Sequence, residues 1–72
     1  MSSYLHPEFK PHELMRFYRV RASLTQAAIA LSLRRSQMYV SRIEQGKVEP
    51  TDEEIKIIEQ KLMVPIWSVK RS

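Results

Sequence analysis

Cysteine is absent from the 72 residues, so neither a disulfide framework nor a thiolate metal site can stiffen the chain. Gly46 is the single glycine, which excludes a phosphate-cradling glycine-rich loop. The two histidines, His6 and His12, lie six residues apart in an irregular, proline-containing segment with no cysteine to complete a ligand set, and no metal or other cofactor is expected. No serine stands near a histidine and a carboxylate, so catalysis lacks its parts and the chain is not expected to be an enzyme. No apolar run approaches the roughly 20 residues of a membrane span, and no signal-peptide core is seen at the N-terminus, so a cytoplasmic location is expected. At this length one domain is expected, with a core that is marginal unless its helices pack well or the protein associates.

What is present is uneven charge. The net charge is +4, but from Arg16 to Lys47 seven basic residues face one acid, Glu44, whereas from Glu49 to Lys61 five acids face two lysines. A basic half of this kind suits a polyanionic partner.

The stretch Leu24 to Gly46, LTQAAIALSLRRSQMYVSRIEQG, reads as two short helices and a tight turn. Thr25 is a hydroxyl N-cap, and Ala27, Ala30 and Leu31 share one helical face. Ser36 offers a second N-cap, Tyr39, Val40 and Ile43 restore an apolar stripe, and Gly46 stands where helices commonly end. Two helices so closely joined must cross steeply, the geometry of a helix-turn-helix.

Around this unit, Met1 to Pro11 reads as an arm, because neither Pro7 nor Pro11 fits inside a helix. Pro11 suits a first helical position, and a helix is expected over about 12–22. Thr51 with Glu54 forms a capping-box signature, and Asp52, Glu53 and Glu54 complement the dipole of a helix running to about Met63 on Ile55, Ile58 and Leu62, with Ile57 widening the stripe. Pro65 then opens a short fifth helix, Ile66 to about Val69, and 70–72 are a tail. The expected core is Met15, Tyr18, Leu24, Ile29, Ala30, Leu33, Val40, Ile43, Ile55, Ile58, Leu62 and Trp67.

The helix-turn-helix stretch resembles that of the phage repressor and Cro family, also called the XRE family. Leu24, Thr25, Gln26, Ile29, Ala30, Leu33, Ser36, Val40, Ser41, Ile43, Glu44 and Gly46 fall in step with its pattern without a gap. The resemblance implies an all-α, five-helix, lambda-repressor-like DNA-binding domain over 12–69, with the helix-turn-helix at about 25–45. It implies a transcriptional regulator of a phage or prophage in a bacterial host, binding double-stranded DNA as a homodimer. Base-facing roles fall on Gln37, Met38, Ser41 and Arg42, and phosphate contacts on Gln26, Ser36, Tyr39 and Lys47. Arg19 stands where the family pairs an arginine with the glutamate here numbered Glu44.

Two positions depart from the pattern. Arg34 replaces the turn glycine and Arg35 a buried valine or isoleucine, so either the turn is reshaped or two arginines serve a partner. The second alternative resembles short phage modulators of repression, which act as antirepressors by joining a repressor in a heteromer.

Overall fold

The computed structural model describes residues 9–68. Four helices follow one another: α1 (Pro11–Arg21), α2 (Gln26–Leu33), α3 (Gln37–Glu44) and α4 (Asp52–Leu62). There is no strand among the described residues. Pro11 opens α1, not the arm; of the arm, 1–8 lie outside the described residues.

Three of the four helices start on a hydroxyl that satisfies a free amide. Thr25 Oγ1 accepts from Ala28 N at 3.0 Å and Ser36 Oγ from Tyr39 N at 3.1 Å. Thr51 and Glu54 exchange both bonds of the capping box, at 3.1 and 3.0 Å, and Glu13 returns one bond to the Lys10 amide at the head of α1.

The helix ends share one device. Ser23, Arg34, Gly46 and Met63 all have φ between 58° and 78°. After each, an amide reaches back five residues: Leu24 to the Arg19 carbonyl, Arg35 to Ala30, Lys47 to Arg42 and Val64 to Glu59. This closure satisfies carbonyls that the helix leaves free, and it needs the left-handed conformation that glycine adopts without strain. Only one of the four stops is glycine. The turn at Arg34 is therefore not reshaped: the arginine takes the glycine's conformation, at a cost of about 1 to 2 kcal/mol.

Burial follows the stripe read in α3, but in α2 the buried residues are Ile29, Ala30 and Leu33. Ala27 and Leu31, expected on the same face as Ala30, are exposed, because α2 is apolar nearly all round and its period does not select a face. Met15, Ile29, Ala30, Leu33, Val40, Ile43, Ile58, Leu62 and Ile66 form the core, and Tyr18, Leu24, Val48, Ile57 and Trp67 are among those packed at its rim. α2 packs against both α3 and α4, and α1 closes over α3. Two further expectations are corrected here. Ile55 is half-buried and outside the core cluster, whereas Ile57 packs against it, because three isoleucines in one short helix leave its rotation undetermined by period alone.

The fifth helix is the second correction. Residues 66–68 are a run of bends, Val69 and the tail lie outside the described residues, and Ile66, 1% exposed, fills the place expected for Trp67. The amides of Ile66, Trp67 and Ser68 all donate to Glu59 Oε2, at 2.8, 2.7 and 2.9 Å, and Ser68 Oγ donates to Oε1 at 2.6 Å. One carboxylate thereby takes the donors that a first helical turn would present and pins the segment to α4. Burial pushes the Glu59 pKa up, but these four hydrogen bonds outweigh it and hold the carboxyl below its ordinary value.

Candidate nucleic-acid interface

The caps of α2 and α3 and the strained stop between them set the helices' relative placement, and so decide which side of α3 stays open. Val40, Ile43 and Glu44 face inward. Gln37, Met38 and Arg42 are exposed and Ser41 is half-buried, which puts the four residues expected to face bases on the open side. Gln26, Gln37, Met38 and Ser41 line a shallow depression of about 320 Å³ there. Gln45 Nε2 donates to Ser41 Oγ at 2.8 Å, a contact that the sequence did not signal although the residues are four apart on a helix end.

Behind this face a polar chain runs back to α1. Gln37 Nε2 donates to Gln26 Oε1 over a long 3.4 Å, and Gln26 Nε2 donates to Glu44 Oε1 at 3.0 Å. Glu44 accepts from Arg19 Nε at 2.6 Å and from Arg19 Nη2 at 3.2 Å, and Arg19 Nη1 donates to the Leu24 carbonyl at 2.8 Å. The two side chains are only 11% and 3% exposed. A buried carboxylate with a forked guanidinium and an amide donor is well satisfied, and no buried side-chain nitrogen or oxygen lacks a partner among the described residues. Gln26, expected as a phosphate ligand, thus already makes two side-chain bonds within the protein.

The remaining expected phosphate ligands differ in how free they are. Lys47 is exposed just past Gly46, and Ser36 is exposed with its hydroxyl oxygen accepting the cap bond. The Tyr39 hydroxyl donates to Glu54 Oε1 at 2.7 Å. Arg34 projects from the turn, exposed. Arg35 Nε donates to Glu54 Oε2 at 2.9 Å, and its guanidinium lies 4.3 Å over the Tyr39 ring.

Glu54 is the residue whose role the sequence understated. Its capping position was legible, but it also joins the turn (Arg35) and α3 (Tyr39) to the head of α4. Burial pushes its pKa up, and the Thr51 amide, the Tyr39 hydroxyl and Arg35 together push it further down, to a net lowering. For Tyr39, burial and the carboxylate beside it raise the phenol pKa, with Arg35 opposing.

No group of three or more histidines or acids that could hold a metal occurs among the described residues. His12 packs its ring over Gly46, and His6 lies outside the described residues. No helix among the described residues is long and apolar enough to cross a membrane.

A family model described as helix-turn-helix matches residues 15–66, from one buried core residue, Met15, to another, Ile66. The chain belongs to the XRE-type helix-turn-helix family. Membership makes this a helix-turn-helix domain of the DNA-binding regulator kind, and the open face of α3 is its candidate interface. No curated protein and no solved structure matches the chain.

Proposed function

We propose that the chain is a transcriptional regulator of a phage or prophage lysis-lysogeny switch, laying α3 in the major groove of operator DNA. The observation that carries this reading is the shared open face of Gln37, Met38, Ser41 and Arg42, flanked by Ser36 and Lys47. Gln37 pairs with adenine and Arg42 with guanine, Met38 touches a thymine methyl, and Ser41 completes the base-facing set. Gln26, Ser36 and Lys47 hold the backbone. One such helix reads only a half-site, so the protein binds as a dimer.

Titration against specific and scrambled DNA tests this. Gln37→Ala and Arg42→Ala should each lose about 1 to 3 kcal/mol of discrimination at one base pair, while Lys47→Ala should weaken all sequences alike and reduce the salt slope by about 1. If no sequence is preferred by more than a few-fold, the reading is wrong.

A second reading is favoured by a different observation. Glu49, Asp52 and Glu53, just beyond α3, are exposed, and negative charge there opposes phosphates. Leu31 and Met63 are also 81% and 89% exposed. In this reading the protein is an antirepressor that binds a repressor protein, with Arg34 and Arg35 among its contacts. Tight binding of a repressor, with weak and non-specific DNA binding, would select it.

A further inference from the structure

We infer that Arg35 is a ligand for a DNA backbone phosphate, oriented by Glu54 and Tyr39, and that Tyr39 is the platform beneath it instead of being a phosphate ligand itself. The inference rests on the proposed reading of α3 as the helix that enters the groove.

Position comes first. A helix is about 10 to 12 Å across and the major groove about 12 Å wide, so the flanks of a groove-bound helix face the phosphates. At 3.6 residues per turn Tyr39 lies about 60° round from Arg42, at the edge of the base-facing side. Arg35 immediately precedes the α3 N-cap and covers the Tyr39 ring. The pair therefore stands on the flank.

Chemistry comes second. The Tyr39 hydroxyl is committed as a donor to Glu54, which leaves no proton for a phosphate. Arg35 uses only Nε, while Nη1 and Nη2 make no hydrogen bond among the described residues, and its side chain is 46% exposed. A guanidinium held by one edge and one face presents its other edge as a preformed fork, the shape that matches two phosphate oxygens. Glu54 does not remove that capacity: its side chain is 9% exposed, and its charge is also met by the Thr51 amide and the Tyr39 hydroxyl. Asp52 and Glu53 in the same turn are exposed and screened by water and salt. They weaken the contact without supplying a competing partner for the fork.

The test is the salt dependence of DNA binding by the full chain and by Arg35→Gln, Arg35→Lys and Tyr39→Phe, with melting curves for each. The parent should lose about three- to fourfold more affinity than Arg35→Gln between 50 and 200 mM salt, a difference of about one phosphate in the slope, on specific and scrambled DNA alike. Arg35→Lys, which keeps the charge but not the fork, should keep the slope and bind more weakly. Tyr39→Phe keeps the ring and should leave the slope unchanged. If Arg35→Gln and Arg35→Lys keep the parent's slope and affinity, or if Tyr39→Phe flattens the slope, the inference is overturned while the DNA-binding reading stands. If the parent binds no DNA, both fall together.

Discussion

Glu44 at the end of α3 and Glu54 at the head of α4 are both buried carboxylates that take an arginine and a neutral donor, yet the two clusters differ in what surrounds the arginine. Arg19 is enclosed, 11% exposed, and all three of its guanidinium nitrogens donate within the fold. Arg35 keeps nearly half its surface in water. The same pairing chemistry therefore fastens α1 to α3 in one place and holds a charge outward in the other. Exposure of the cation, not the distance to the carboxylate, separates a structural tie from a presented group.

The largest effect should come from breaking the enclosed pair. Glu44→Ala leaves Arg19 buried without its anion and is expected to destabilise by about 3 to 5 kcal/mol in denaturant unfolding. A loss below about 1 kcal/mol would mean that the pair is no more consequential than a surface one.

Glu54→Ala is expected to cost less, about 1 to 3 kcal/mol, through the lost cap and the stranded Tyr39 hydroxyl. Acid should act on the same residue. Glu54 and Glu59 have folded pKa values below the ordinary glutamate value of about 4.3. Their stabilisation is complete above that pH and is lost as pH falls through the lower folded values. Thermal melts from pH 7 to pH 3 should show this decline, and Glu54→Gln should flatten part of it. An identical acid limb in parent and variant would remove Glu54 from the explanation.

Arg35→Ala should change stability by only about 0 to 1 kcal/mol, since the pair it breaks is half in solvent. A larger loss would erase the contrast between the two clusters. Arg34→Gly should stabilise by up to about 1 kcal/mol, because glycine accepts the left-handed stop without strain, less the extra freedom it gains when unfolded. Calorimetry of the two single variants would resolve both.

Local signals carried much of this fold into the sequence. Thr25, Ser36 and Thr51 are hydroxyl residues ahead of apolar periods, and all three cap helices. Arg34 was legible as a conflict between residue type and turn, and the conflict is present as strain. The Arg19 to Glu44 contact could be read only through the family pattern, since 25 residues separate them.

What was illegible depends on tertiary approach. Nothing near Glu54 announces that Tyr39 and Arg35 will meet it, because that requires α4 to begin beside the turn. Pro65 reads as a helix start, and no periodicity reveals that Glu59 gathers the next three amides instead. Likewise the open side of α3 follows from its apolar stripe, but the link from Gln37 through Gln26 to Glu44 depends on how α2 is set across α3.

The four helix stops also predict where the chain tolerates replacement. Ser23, Arg34 and Met63 already carry side chains in the left-handed conformation, so a saturation library should recover varied residues there, with glycine and asparagine enriched. Position 46 is different in kind. A Cβ on Gly46 would stand 2.9 Å from the His12 ring, so any replacement must both adopt the strained angle and displace a neighbour. Glycine should therefore persist at 46 alone, and pairing the library with His12→Ala should loosen that restriction to the level of the other three.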